Sequence, residues 1–168
     1  MYIDFKLNDE AKGVSLEEFE KEYETFYGYI MIKLGNYKLG CADKKYPGDE
    51  GDDDISYYIK NLIKCGITLL LGQQFRVQLL DHNLLEIHVY WDINVNIEVV
   101  NTETRKKECS YKISFRDLKN EIDKNFKKYI NDVNIKNPNL LGAKTIKKAV
   151  LYFDIFNKLY ENHPISKM

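Results

Sequence analysis

Between Leu84 and Val100 the sequence alternates almost without a break. Leu85, Ile87, Val89, Trp91, Ile93, Val95, Ile97 and Val99 fall on one parity. Glu86, His88, Tyr90, Asp92, Asn94, Asn96 and Glu98 fall on the other. Successive strand residues point to opposite faces, so this pattern demands a sheet with one face in the core and the other wet. The run is too long for one strand, which predicts a bend or turn near Asp92.

Four further β segments precede it. Met1–Leu7 alternates, with Ile3, Phe5 and Leu7 on one side. Phe26–Leu34 is aromatic and β-branched and is followed by Gly35-Asn36, residues that tolerate the positive φ of a hairpin turn. Tyr37–Ala42 then returns as the partner strand. Gln73–Leu80 reads as another strand, with Phe75, Val77 and Leu79 inward, before the turn residues Asp81-His82-Asn83. Cys109–Phe115 follows a polar loop, with Tyr111, Ile113 and Phe115 on one side.

Helical spacing fills the gaps. Ser15-Leu16-Glu17-Glu18 is a capping box, and Leu16, Phe19, Tyr23 and Phe26 continue from it. Asp54 is placed to cap a helix opening at Ile55, with Tyr58, Ile59, Leu62 and Ile63 on its apolar face and Gly66 as its expected end. Ile67–Leu71 fits helix or strand equally. Leu118, Ile122, Phe126, Tyr129, Ile130 and Val133 make one later stripe; Ile146, Ala149, Val150, Phe153, Phe156 and Tyr160 make the last. The pattern predicts a single α+β domain over residues 1–168, built as one antiparallel sheet with helices packed mainly on one face.

Composition narrows the function. Hydrophobic residues at 44% and 22 aromatic side chains exclude a disordered chain. Charge is lopsided: residues 1–56 hold 14 acids against 7 bases, whereas residues 57–168 hold 12 acids against 18 bases. Such asymmetry marks either a binding surface or two solvated faces of one domain. The lysines interleave with acids on helix surfaces and the pI is about 6.3, which argues against nucleic-acid binding. No apolar run reaches membrane-span length and no secretory signal opens the chain, so a cytoplasmic location and no membrane partner are expected.

The candidate chemistry is sparse. Three widely spaced cysteines, Cys41, Cys65 and Cys109, offer no zinc pattern, and Cys41 and Cys65 sit in apolar segments as small core residues. The acid-rich Asp43–Asp54 stretch does not match the register of a calcium loop. No glycine-rich phosphate cradle and no nucleophile motif is present, so neither a metal, a cofactor nor a catalytic residue is expected. Glu86 and His88 share a strand face but lack a positioned nucleophile.

Phe26-Tyr27-Gly28-Tyr29-Ile30, the Gly35-Asn36 turn and Leu39-Gly40-Cys41-Ala42-Asp43, followed by an acidic loop and an amphipathic helix, resemble the N-terminal half of small immunity proteins. These belong to bacterial polymorphic-toxin and contact-dependent growth inhibition systems, and the pattern is similar to the forty-second numbered immunity family. The likeness covers about residues 20–70. It implies a non-enzymatic, stoichiometric inhibitor that binds the C-terminal domain of a cognate toxin, such as a nuclease, in the cytoplasm of the producing cell. An acidic surface would speed encounter with a basic nuclease cleft, and Glu17, Glu20, Glu24, Asp49, Glu50, Asp52 and Asp53 are the expected patch. The wet sheet face, Glu86, His88 and Tyr90 with Asn94 and Asn96, is the second expected interface. Two other readings stay open: a homo-oligomeric or other interaction module built on a strand edge, and a small enzyme with a pocket around His88.

Overall fold

In the computed structural model, which describes residues 1–40, 53–78 and 85–167, the chain folds as α+β. The single predicted sheet is instead two four-stranded antiparallel sheets. In the first, β1 (Tyr2–Leu7) pairs along β2 (Tyr27–Leu34), with Ile3 opposite Ile32 and Phe5 opposite Ile30. β2 turns at Gly35-Asn36 into β3 (Tyr37–Gly40), with Gly35 at φ +63°. The two-residue β4 (Asp53–Asp54) also pairs with β2, setting Asp53 opposite Gly28 and Asp54 opposite Tyr27. Because β1, β3 and β4 occupy β2, the strands that follow pair with one another instead.

The first helix is shorter than its spacing predicts. Ser15 caps it through a bond from the Glu18 amide, but α1 (Leu16–Glu18) passes into a π-helical turn over Phe19–Tyr23. Glu24 then turns left-handed at φ 59°, which stops the helix short of Phe26. Phe19 and Phe26 are buried, their ring centroids 4.6 Å apart.

α2 (Ile55–Leu70) begins on the Asp54 cap as predicted, the carboxylate accepting from the Tyr57 amide at 2.8 Å. It does not end at Gly66. The ambiguous Ile67–Leu70 stretch continues it, and Gly66 sits buried in its interior. A Cβ there would lie 2.5 Å from Cε2 of Phe156 and 2.7 Å from Cδ1 of Ile122. Gly66 is thus the point of close approach to the two later helices.

The second sheet is a meander in the order β5-β6-β7-β8. β5 (Phe75–Gln78), β6 (Leu85–Trp91), β7 (Val95–Asn101) and β8 (Lys107–Ile113) pair antiparallel in turn. The turn predicted near Asp92 lies at Asp92–Asn94, with Trp91 opposite Val95. Ile87, Val89, Val95, Ile97 and Val99 are buried as their parity requires. Ile93 is the exception: at the turn tip alternation no longer applies, and it is 92% exposed. Cys41, the Asp81-His82-Asn83 turn and Leu79 lie outside the described residues.

Phe115, expected on a strand, opens α3 (Phe115–Lys136) after the Ser114 cap. Of the predicted stripe, Leu118, Ile122, Phe126, Tyr129 and Val133 are buried and Ile130 is partly buried. The other side of α3 protects the outer edge of β1. Glu121 accepts from the Ile3 amide at 3.1 Å, Lys124 donates to the Ile3 carbonyl at 3.3 Å, and Lys128 donates to the Phe5 carbonyl at 2.6 Å. An open strand edge is a template for unwanted pairing, and here helix side chains occupy it. After a 3₁₀ turn over Pro138–Gly142, α4 (Lys144–Asn162) packs beside α2. Ile146, Ala149 and Phe156 are buried, whereas Val150, expected in the stripe, is exposed. Among the described residues no helix is long and apolar enough to cross a membrane.

Gly66→Ala is expected to lose stability by about 1–3 kcal/mol from overpacking, although alanine gains about 1 kcal/mol in helix propensity. Urea denaturation measures this; an unchanged or raised midpoint would show that α2 and α4 are not in such close contact.

Candidate protein-interaction face

The face of the second sheet opposite the core is ordered by strand register into three rows. Arg76, His88, Glu98 and Ser110 lie side by side across all four strands. Gln78, Glu86, Val100 and Lys107 form the next row, and Tyr90, Asn96 and Lys112 a third. Directly opposite residues are close enough for their side chains to meet, and the hydrogen bonds of the face run between neighbouring rows.

Their bonds hold the face in one arrangement. His88 Nε2 lies 2.5 Å from Glu86 Oε2. Glu98 accepts from the Tyr90 hydroxyl at 3.1 Å and from Lys107 Nζ at 2.5 Å, on the same oxygen. The Lys107 ammonium, followed by the Tyr90 hydroxyl, holds the Glu98 carboxyl below its ordinary range. In return, Glu98 raises Lys107 and pushes the Tyr90 hydroxyl up. At the end of the sheet, Asp92 accepts from the Asn94 amide at 2.9 Å and from Asn96 Nδ2 at 3.2 Å. Both bonds hold the Asp92 carboxyl low. Asn96 is buried while doing this, so it supports the turn and presents little surface.

The expected residues Glu86, His88 and Tyr90 are therefore brought together, with side chains part-exposed. Arg76, Glu98 and Lys107 complete the arrangement and were not singled out from the sequence. Glu98 shares the wet parity, but Arg76 and Lys107 join only through register. Ile93 stands exposed at the tip of the β6–β7 hairpin.

Of the described members of the expected acidic patch, Asp53 and Glu20 are engaged within the fold. Asp53 is 5% exposed, and its carboxylate accepts from the Ile30 amide at 2.9 Å, so it completes the β2 edge rather than facing a partner. Glu20 accepts from the Lys144 amide at 2.8 Å and pairs with the Lys144 ammonium at 2.8 Å. It thereby serves the start of α4, where Ala143 has no capping side chain, and Lys144 holds its carboxyl low. Glu17 and Glu24 are exposed. Asp49, Glu50 and Asp52 lie outside the described residues.

An apolar cavity of about 80 Å³ lies where α2 meets both sheets, bounded by Ile30, Ile32, Leu62, Cys65, Val77 and Val89 among others. Burial pushes the Cys65 thiol up to about 12, so it stays protonated as a small core group. His88 lines neither this cavity nor the polar groove between β8 and the start of α3. Comparison with protein-family models, with curated proteins and with solved structures finds no match to this chain.

Because the Glu98 carboxyl is depressed in the fold, its stabilising effect is complete above its ordinary value of 4.5 and fades as pH falls through the folded value. Glu98→Gln should flatten the acid limb of the stability–pH curve below about pH 4.5 and leave its slope near neutrality unchanged. Urea midpoints measured from pH 2.5 to 7 test this; identical acid limbs would remove the Glu98–Lys107 pair from the account.

Proposed function

We propose that the chain is a protein-binding inhibitor, an immunity protein that neutralises a cognate toxin C-terminal domain in the cytoplasm of the producing cell. The face of the second sheet is the contact surface in this reading. The observation that carries it is the row Arg76–His88–Glu98–Ser110 with its neighbours Glu86, Tyr90 and Lys107. Both charge signs, an imidazole and a phenol are fixed there on four paired strands, which supplies direction and specificity with little ordering cost on binding. Ile93 adds an apolar projection at one end of the same surface. The resemblance of the Phe26–Asp43 segment to immunity proteins supplies the class of partner.

Inhibition then follows from occupancy. A toxin whose active site or substrate-binding face is covered by this sheet cannot reach its target, and no chemistry is asked of the inhibitor. The bonded groups of the face favour discrimination among related toxins, because a partner that leaves Glu98 or Arg76 buried and unmatched is penalised. Glu17 and Glu24 would contribute to encounter rate rather than to the closed contact.

Co-expression with the neighbouring open reading frame, with an affinity tag on this chain only, tests the reading. The expected result is a one-to-one complex with a partner that is toxic when expressed by itself. Tyr90→Ala and Arg76→Ala should each raise Kd about tenfold or more, with circular dichroism unchanged. A harmless neighbour that does not co-purify contradicts the function; a stable complex with affinities unchanged in both variants moves the contact off this sheet.

A further inference from the structure

The outer face of α4 carries a feature that the sheet reading does not use. Val150, Leu151 and Ile155 are 38%, 56% and 38% exposed, all within six residues of one helix. Single exposed aliphatic residues are ordinary, but Leu151 and Ile155 are four apart and form one ridge along the helix. Lys147 and Lys148 lie one turn before this ridge and Lys158 one turn after it, all exposed. Across the groove to α2, Lys64 sits 5.3 Å over the Tyr152 ring and Lys60 donates to the Thr145 hydroxyl at 3.4 Å. Against these lysines the stretch 147–158 itself has one acid, Asp154, while Glu20 and Glu24 line a groove with Lys60 and Lys148 at the start of the helix and leave Lys158 at its far end.

We propose that this face is a docking surface for a helix with an acidic rim and an aliphatic ridge, supplied by a partner protein. The ridge runs along the α4 axis, the direction in which a second helix sets its own i, i+4 side chains against it. Lys147 and Lys158 stand about 16 Å apart at 1.5 Å rise per residue, so the partner needs carboxylates about three turns apart with two aliphatic side chains between. A second copy of this α4 does not meet that requirement: an antiparallel pairing of Leu151 with Ile155 brings Lys148 opposite Lys158. The charge pattern therefore selects a different, acidic chain. The surface is independent of the sheet face, and its occupancy does not depend on the partner being a toxin.

The test uses a synthetic helical peptide with two leucines four residues apart and glutamates flanking them three turns apart. A control peptide carries lysine at each glutamate, and phosphatidylglycerol vesicles serve as a third probe. Titration against the isotope-labelled full chain is expected to shift amide resonances of residues 147–158 saturably with the acidic peptide only. Leu151→Ser combined with Ile155→Ser should weaken that binding tenfold or more, and Lys147→Glu combined with Lys158→Glu should abolish it. These positions are exposed, and a circular dichroism spectrum confirms that the fold is intact. The proposal is overturned by an absence of shifts, by shifts centred elsewhere, or by equal binding of the lysine peptide. It is likewise overturned if the vesicles bind this face while the acidic peptide does not.

Discussion

Four consecutive residues, Asp53-Asp54-Ile55-Ser56, join the first sheet to the helices, and the rest of the structure depends on them. Asp53 pairs with Gly28 and supplies a carboxylate to the Ile30 amide. Asp54 caps α2 and accepts from the Thr25 hydroxyl. Ile55 is fully buried, and its amide donates to the Phe26 carbonyl at 2.9 Å. Ser56 accepts from the Phe26 amide at 2.9 Å, and its hydroxyl lies 2.7 Å from that of Tyr129. Burial raises the Tyr129 phenol well above its ordinary range, so it stays neutral and can take part as an –OH. The Tyr129 ring meets Phe5 and Phe26 edge-on, which ties α3 to β1 and to the start of β2. A buried network of this kind is favourable only when every member is satisfied, and removing one partner costs about 1–3 kcal/mol per orphaned group.

This junction decides which surfaces remain for a partner. It withdraws Asp53 from the acidic stretch and fixes Asp54 at a helix end. Glu20 is drawn to α4, and α3 covers the β1 edge. The second sheet meets the first against α2, and its inner face shares the core with Ile59 and Leu118. Its outer face is part-exposed and the ridge of α4 is exposed, and these are the two surfaces proposed for partners. They differ in chemistry: the sheet carries both charge signs in rows bonded to one another, and α4 carries an aliphatic ridge among lysines.

The sequence was most legible where a side chain's role depends on near neighbours. The alternation through Leu84–Val100 predicts both strands and the turn, and a three-residue turn keeps Val95 on the parity of Trp91. The Asp54 and Ser15 caps follow from local spacing. Gly66 misleads because a glycine after an apolar helical run resembles a helix end, whereas its role is set by Phe156, far along the chain. Two sheets in place of one follow from β2 being saturated by β1, β3 and β4, which no periodicity states. Composition also cannot separate an acid that faces solvent from one that accepts a backbone amide, so Asp53 and Glu20 read like Glu17. Glu86, His88 and Tyr90 could be found from parity, but Arg76 and Lys107 needed the cross-strand register.

Native-state hydrogen exchange on the free chain tests the junction most directly. The amides of Phe26, Ile30 and Tyr57 donate to Ser56, Asp53 and Asp54, and all three are expected to exchange only through global unfolding, with one shared free energy. If any of them exchanges through a local opening that costs several kcal/mol less than unfolding, the segment is not the joint on which the two surfaces depend.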